Sequence, residues 1–243
     1  MKKPDVKKTR TRRAAPRLPV ASAGRPRRAR AAAGPGHETP YHHGALRDAL
    51  LEAAERVLER DGLPGLTLRA VAREAGVSHA APTHHFGDLT GLLSELAAIG
   101  YRRFSAAMAA ARAAATLPME KGLASAKAYV RYARAHPGMY GLMFRTERLD
   151  MTRPSLREAA DASFAGFAAG VGDARHEQIS TEALTLQQAG ALTHAWSLVH
   201  GFSTLLLDGR LTKILHRLPE GTDAETLLVA MLMSTIGRPP GAV

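Results

Sequence analysis

The feature that most constrains this sequence is an apolar stripe with the period of an α-helix, which begins shortly after residue 41. Seven apolar residues recur at intervals of three and four, and acidic and basic residues fill the positions between them. The stripe consists of Leu46, Ala49, Leu50, Ala53, Ala54, Val57 and Leu58. It predicts an amphipathic helix over residues 41–61 that buries one face.

The residues after this helix predict two more helices that are joined by a very short turn. Glycine and proline at 62–65 interrupt the first helix, and Thr67 is placed to cap a second one. That helix ends at Gly76, which suits a left-handed backbone, and only Val77 separates it from Ser78, which we predict to be the next N-cap. Such a tight corner is typical of a helix-turn-helix.

The third helix divides into two faces when each residue is rotated by 100° from the last. Pro82 and Phe86 fall on the inner side, whereas the outer side holds Ala80, Thr83 and His84, flanked by His79. Periodicity alone leaves open an ordinary helical corner inside an all-α domain.

The remainder of the chain also predicts helices and contains no strand pattern. Asp88 is placed to cap a long helix, and Thr222 with Glu225 forms a capping box for the last one. The helices that follow the long one are predicted over 119–136, 139–145, 155–171, 181–207 and 223–236. They are separated by Pro118, Pro137, Pro154, Gly172 and Gly209. Aromatic residues make up only 5% of the chain, which also argues against an all-β fold.

Two stretches resemble a known family. The run LTLRAVAREAGVSHAAPTHHFGDLTGLL, preceded by YHHGALRDALLEAAERVLERDG, closely resembles the TetR family of bacterial transcriptional regulators. The segments HPGMYGLMF and AWSLVHGFSTLLLDGRL resemble more weakly the TetR group with a Trp-His-Gly signature, here Trp196, His200 and Gly201. The resemblance implies a helix-turn-helix domain over 41–101 and a helical ligand-binding and dimerisation domain over 102–243. It also implies a homodimer, double-stranded operator DNA and a small-molecule effector.

The DNA contacts of the family carry over residue by residue. Thr67 and Ser78 then meet phosphates at helix N-termini, and His79, Ala80, Thr83 and His84 face the major groove, with His85 on the backbone. This chain has Thr83 where many members have Tyr, and Leu89 where many have Lys. No Lys or Arg lies between Arg73 and Arg102. The contacts that hold the DNA backbone must therefore come from other groups. These are the helix dipoles, the N-terminal segment and the side chains of Arg47, Arg69, His42 and His43.

The charge of the chain is concentrated at its N-terminus. Residues 1–40 hold 12 Lys and Arg against two acidic residues, and the rest of the chain holds 21 basic and 20 acidic residues. Because this segment is rich in Pro, Gly and Ala and has no apolar period, we predict it to be disordered and neither a secretory signal nor a membrane helix. It is either a solubilising tail or a basic arm that binds DNA phosphates.

The segment 183–207 carries no formal charge, yet its many hydroxyl, amide and imidazole groups argue against a membrane span. We interpret it as a helix packed on two sides, one of them against a second subunit. Thr193, Ser197, His200 and Thr204 form a polar stripe beside Trp196, which we predict to contact a ligand, with Tyr140, Phe144 and Phe164 as apolar walls. The alternative is that Trp196 and His200 are a packed structural pair.

Enzyme chemistry finds little support. The chain has no Cys, which excludes thiolate metal sites and Cys nucleophiles and fits a cytoplasmic protein. The run from His37 to His42 is one residue too long for a zinc-protease motif, and no phosphate-binding glycine loop is present. We therefore expect no catalytic site, metal or cofactor. The sequence predicts a repressor that a small apolar ligand releases from its operator; the alternative is an architectural DNA-binding protein that acts through its basic arm.

Overall fold

The computed structural model describes residues 41–236, apart from the side chains at 41–43 and 235–236. The predicted basic arm and its predicted disorder lie outside the described residues. Within them the chain forms helices and no strand, which confirms the all-α prediction. The helices are α1 (Tyr41–Gly65), α2 (Leu68–Glu74), α3 (Ala81–Phe86), α4 (Leu89–Ala113), α5 (Pro118–Ala135), α6 (Pro137–Met143), α7 (Pro154–Arg175), α8 (Leu186–Leu207), α9 (Thr212–Leu215) and α10 (Ala224–Ile236), with a 3-10 turn at Thr146–Arg148.

The predicted boundaries of the first, second and fourth helices agree with the structure to within a few residues. Gly62 has φ 70° and interrupts α1, so the last turn of that helix is set off by a kink. The Thr67 hydroxyl accepts a hydrogen bond from Ala70 N at 3.1 Å and caps α2. Asp88 caps α4 in the same way, with 2.8 Å from Gly91 N to Oδ1. These short polar side chains stop one helix and start the next.

Three prolines that were predicted to separate helices instead begin them. Pro118, Pro137 and Pro154 are the first residues of α5, α6 and α7. Proline suits this position because the first N–H of a helix has no partner within the helix and because its φ is already helical.

Two predicted boundaries in the second half of the chain were wrong. Helix α7 continues past Gly172 to Arg175 and ends at His176, which has φ 54°. A Cβ on Gly172 would lie 2.5 Å from the Glu177 carbonyl oxygen, so this glycine admits the returning backbone and does not end the helix. Helix α8 begins at Leu186 and not at residue 181, because Thr185 and Gln188 form a capping box there.

The last helix is capped by Asp223 and not by Thr222 as predicted. The Asp223 carboxylate accepts hydrogen bonds from the backbone N and the hydroxyl of Thr226, both at 2.8 Å. The break at Gly209 is confirmed by its φ of 69°. The short helix α9 and the 3-10 turn were not predicted, since four or three residues are too few to show a period.

A continuous core of buried apolar side chains extends from α1 to α10. Helix α4 is central to it, because α4 packs against both α5 and α7 and also contacts α1, α3 and α6. We call residues 41–101 the head and 102–236 the body, following the division predicted from the sequence. Helix α4 belongs to both, and its buried Leu92 and Phe104 lie on either side of the division.

Candidate nucleic-acid interface and ligand cavity

The corner between α2 and α3 has the geometry of a helix-turn-helix. Gly76 has φ 68°, and Val77 N donates to the Ala72 carbonyl at 3.0 Å, which closes the end of α2. Helix α3 begins at Ala81, and no side chain caps it, so the prediction of Ser78 as its N-cap was wrong. A turn from Ser78 to Ala81 lies between them, with 3.1 Å from Ala81 N to Ser78 O.

The two faces of α3 lie as the rotation of its residues predicted. Pro82 and Phe86 are buried against the head. The other face is exposed to solvent and, with the preceding turn and the start of α2, presents a continuous set of predicted DNA contacts: Thr67, Arg69, Ser78, His79, Ala80, Thr83 and His84. His85 is half-buried between the rings of His84 and Phe86, with centroid distances of 5.3 and 6.2 Å. The side chains of His42 and His43 lie outside the described residues.

Arg47, which the sequence assigned to DNA, lies on α1 with a side chain that is 38% accessible. Its Nη2 donates to Glu95 Oε2 at 2.6 Å, and its guanidinium carbon lies 5.5 Å from the centroid of the Phe86 ring. Arg47 therefore joins α1 to α3 and α4, and Glu95 balances its charge. Arg69 is exposed and has no such carboxylate among the described residues.

The end of α3 is held by the body through Arg153, the residue that precedes α7. Its Nη2 donates to the carbonyl oxygen of Phe86, the last residue of α3, at 3.0 Å. A Cβ on Gly91 would lie 2.4 Å from that nitrogen, so only glycine allows the guanidinium to approach. Glu95 lies 3.7 Å from Arg153 Nη1 and also accepts from the Ser155 hydroxyl at 2.8 Å.

A second connection between head and body joins α1 to α6. The Glu59 carboxylate accepts hydrogen bonds from Gly138 N at 3.1 Å and from Met139 N at 3.0 Å. These are unpaired N–H groups in the first turn of α6, where a negative charge is favoured. Glu59 thus caps a helix of the body from a helix of the head.

The body contains a cavity of 540 Å³ between α4, α5, α7, α8 and α10. Its volume falls within the range of small-molecule sites. Small residues at helical spacing create it, among them Gly166, Gly170 and Ala174 on α7 and Gly190 on α8. Larger apolar walls come from Met108, Met119, Leu123, Phe167, Val171, Leu198 and Val199.

None of the eight predicted ligand-binding residues lines this cavity. Thr193, Trp196, Ser197 and Thr204 are exposed on another side of α8, and the Trp196 side chain is 43% accessible. Phe164 is also exposed, on α7. The other three lie in an aromatic cluster, in which the Phe144 ring is 5.0 Å from the Tyr140 ring and 4.7 Å from the His200 ring.

His200 is held within that cluster by two phenols. Its Nδ1 lies 2.9 Å from the Tyr129 hydroxyl and 2.8 Å from the Tyr140 hydroxyl. Burial raises the pKa of both phenols and lowers the pKa of the His200 imidazole, because it disfavours each charged form. One neutral phenol can therefore donate to the single lone pair of Nδ1 on a neutral imidazole, and the other phenol can bond to the first, 3.4 Å away.

The sequence contained a signal for the cavity that the polar stripe obscured. On α7 the residues Gly166, Gly170 and Ala174 are spaced by four, and on α8 the residues Ala191 and Ala195 have the same spacing. A line of small residues on two helices leaves space between them, whereas hydroxyl groups at the same spacing can simply face solvent.

Comparisons with known proteins agree with this geometry. A family model described as bacterial regulatory proteins, tetR family, matches residues 50–96, and one described as tetracyclin repressor-like, C-terminal domain, matches residues 123–232. The HTH-type transcriptional regulator BetI from Burkholderia mallei is 40% identical over 70 residues, which are 29% of this chain and 36% of that protein. The chain thus spans about a third of the length of the curated relatives it matches.

Solved structures resemble the chain over a greater length. A protein of unknown function from Rhodococcus sp. RHA1 is 35% identical, with a TM-score of 0.64 over 81% of this chain and 96% of that one. The TetR family transcriptional regulator PfmR from Thermus thermophilus is 20% identical, with a TM-score of 0.52 over 75% of this chain and 93% of that one. The second likeness concerns the fold alone.

The chain belongs to the TetR family of bacterial transcriptional regulators. Membership confirms the predicted resemblance and the prediction of a regulator rather than an enzyme. The finer grouping by Trp196, His200 and Gly201 stays a prediction. No helix within residues 41–236 is long and apolar enough to cross a membrane, and no cluster of acidic and histidine side chains in that range could hold a metal ion.

Proposed function

We propose that this protein is a homodimeric repressor that binds an operator through α2 and α3 and leaves it when a small molecule fills the cavity of the body. One observation carries the proposal. The C-terminal half of α7 lines the cavity, and Arg153, at its other end, holds the last carbonyl group of α3.

The exposed face of α3 and its flanking turn would read the major groove. His79, Thr83 and His84 can donate or accept hydrogen bonds at base edges, and Arg69 would meet a phosphate. The N-terminus of α2 is also suited to a phosphate, because Thr67 occupies only one of its unpaired N–H groups. Arg47 is left out of this set because Glu95 already balances its charge.

A second copy of the chain would cover the exposed side of α8. Trp196 and Leu207 are large apolar side chains that lie exposed on this helix, and Met233 is exposed on the neighbouring α10. The hydroxyls of Thr193, Ser197 and Thr204 lie on the same side of α8. We therefore assign the predicted polar stripe to the subunit interface and the cavity to the ligand.

The ligand would act through α7 as a rigid lever. This helix has 22 residues and is about 33 Å long at 1.5 Å per residue. A molecule that wedges α7 away from α4 or α8 would displace Arg153 and the end of α3 with it. Both subunits would change together, so the distance between the two recognition helices would no longer match successive major grooves.

Footprinting on DNA selected from random sequence by the full chain tests the proposal. We expect a discrete inverted repeat with half-sites one or more helical turns apart, bound by a dimer in light scattering. Coating of DNA without sequence preference would overturn the proposal in favour of the architectural alternative. A variant that lacks residues 1–38 should keep the same preferred site and lose part of the salt dependence.

A further inference from the structure

Two arginines, Arg112 and Arg175, are among the residues that line the cavity. The lining residues run along α4 from Ser105 to Arg112 and along α7 from Gly166 to Arg175, so both arginines stand at the ends of their helices. Gln187 lies in the first turn of α8, which follows α7 in the chain. Ser105, Ser125 and Tyr129 add hydroxyl groups elsewhere in the lining, which is otherwise mostly apolar. The cavity therefore has mainly apolar walls and two cationic side chains at the ends of helices.

No aspartate or glutamate lines the cavity within residues 41–236. Asp173 lies 3.9 Å from Arg112 Nε, and Glu177 pairs with Arg175 Nε, but neither carboxylate belongs to the lining. His194 adds another nitrogen donor to the wall. The lining thus holds two guanidinium groups and no negative group.

Arg112 is positioned to make further hydrogen bonds. Its Nη1 donates to the Gly166 carbonyl at 3.0 Å, and its Nη2 has no hydrogen-bond partner among the described residues. A Cβ on Gly170 would lie 3.0 Å from Nη1, so this glycine leaves room for the guanidinium beside α7. The guanidinium is therefore held beside α7 by one hydrogen bond, and Nη2 keeps its donors for a ligand.

We infer that the ligand of this cavity is an amphipathic anion with an apolar chain and one carboxylate, which Arg112 and Arg175 bind; the inference rests on the proposed function. A carboxylate accepts two parallel hydrogen bonds from a guanidinium. A cationic ligand would meet two arginines and no carboxylate of the lining. A neutral apolar ligand would fill the apolar part of the cavity and give the two arginines no group to bind.

Three probes with the same ten-carbon alkyl chain separate these cases: decanoate, decanol and decylammonium. Each is used below the concentration at which it forms micelles. Binding of each probe to the full-length protein is measured by titration calorimetry. We expect decanoate to bind roughly tenfold or more tightly than decanol, since hydrogen bonds to charged groups are the strong ones. Decylammonium should bind more weakly than decanol.

Two pairs of variants locate the binding. Arg112→Gln should remove the preference for decanoate over decanol, whereas Arg157→Gln, on an exposed arginine of α7 outside the cavity, should keep it. Gly190→Leu should abolish the binding of decanoate, because Gly190 lines the cavity and faces open space. Gly141→Leu makes the same change on α6, outside the cavity and also into open space, and should preserve binding.

Operator binding is measured on the same samples. Equal affinities for decanoate and decanol, a preference that survives Arg112→Gln, or no binding of any probe would each overturn the inference. If the chain still binds its operator in those cases, the proposed DNA-binding function stands and only the ligand class is wrong. If decanoate is preferred but no specific DNA site exists, the inference on the ligand stands and the proposed function fails.

Discussion

Two of the connections between head and body, one at α6 and one at the start of α7, use different chemistry. At α6, the Glu59 carboxylate accepts two backbone N–H groups, and no opposite charge takes part. At α7, Glu95 balances Arg47 and approaches Arg153, which in turn holds the carbonyl group of Phe86. The first connection is a helix cap, whereas the second is a charged cluster of several side chains.

The two connections also differ in whether the body helix that they involve lines the cavity. Helix α6 contributes no residue to the cavity, while six lining residues belong to α7. A change in the cavity can therefore reach the second connection directly along one helix, and the first connection fixes α1 against the body whatever the cavity holds. In the proposed mechanism, Glu59 is therefore the fixed support and Arg153 the movable one.

The largest effect is expected from Glu95→Ala. This change would leave the guanidinium groups of Arg47 and Arg153 without their shared carboxylate in a half-buried place. We expect a loss of about 2–3 kcal/mol in the free energy of unfolding, below the range for fully buried pairs because both arginines are partly exposed. Urea unfolding measures this value. Glu52→Ala, on the exposed side of α1, is the control and should change stability by less than about 0.5 kcal/mol.

Arg153→Met tests whether the second connection serves the recognition helix. It removes the hydrogen bond to the Phe86 carbonyl, and we expect the affinity for operator DNA to fall by about tenfold, the equivalent of one charged hydrogen bond. Arg153→Lys keeps the charge and one donor and should recover part of the affinity. Arg157→Met, one turn further along α7, is the control. Unchanged operator affinity in Arg153→Met would contradict a role for this residue in positioning α3.

Most of the fold could be predicted from the sequence, but these connections between head and body could not. The head could be predicted because its helices bury one face and its turns rely on local residues such as Thr67, Gly76 and Asp88. Glu59 and Arg153 pair with groups 79 and 67 residues away, and such pairs leave no local pattern. In the sequence both look like ordinary surface charges.

The cavity was missed for a related reason. Helix α8 is apolar or uncharged all round, so its hydrophobic period does not indicate which side faces the body. The polar stripe that starts at Thr193 suggests the ligand side because hydroxyl groups can bind ligands. The cavity faces the smaller side chains of Gly190 and Ala191 instead.

Glu59→Gln tests the other connection, the one between Glu59 and α6. The amide keeps one acceptor oxygen for the first turn of α6 but loses the negative charge that favours this position. We expect a loss of about 1 kcal/mol in the free energy of unfolding and an unchanged response of operator binding to decanoate. The response is read as the shift in operator affinity when decanoate is added. A response that disappears in Glu59→Gln and persists in Arg153→Met would reverse the assignment of fixed and movable supports.

The smallest effect concerns the buried cluster of Tyr129, Tyr140 and His200, which resembles the Glu95 cluster in its number of hydrogen bonds and differs in carrying no charge. Burial holds the pKa of His200 below its ordinary value of about 6.5, so the unfolded chain binds a proton more readily than the folded chain does. Stability from this group is therefore complete above about pH 6.5 and declines as the pH falls through that value toward the lower pKa of the folded state.

His200→Gln keeps an acceptor for the phenols but cannot titrate. We expect the free energy of unfolding to fall more steeply in the natural chain than in His200→Gln between about pH 7.5 and 5.5, with all other histidines cancelling in the difference. Equal slopes would mean that His200 has the same pKa in the folded and the unfolded chain, so that it becomes charged within the fold as the pH falls, and the contrast between a charged and a neutral cluster would then be lost.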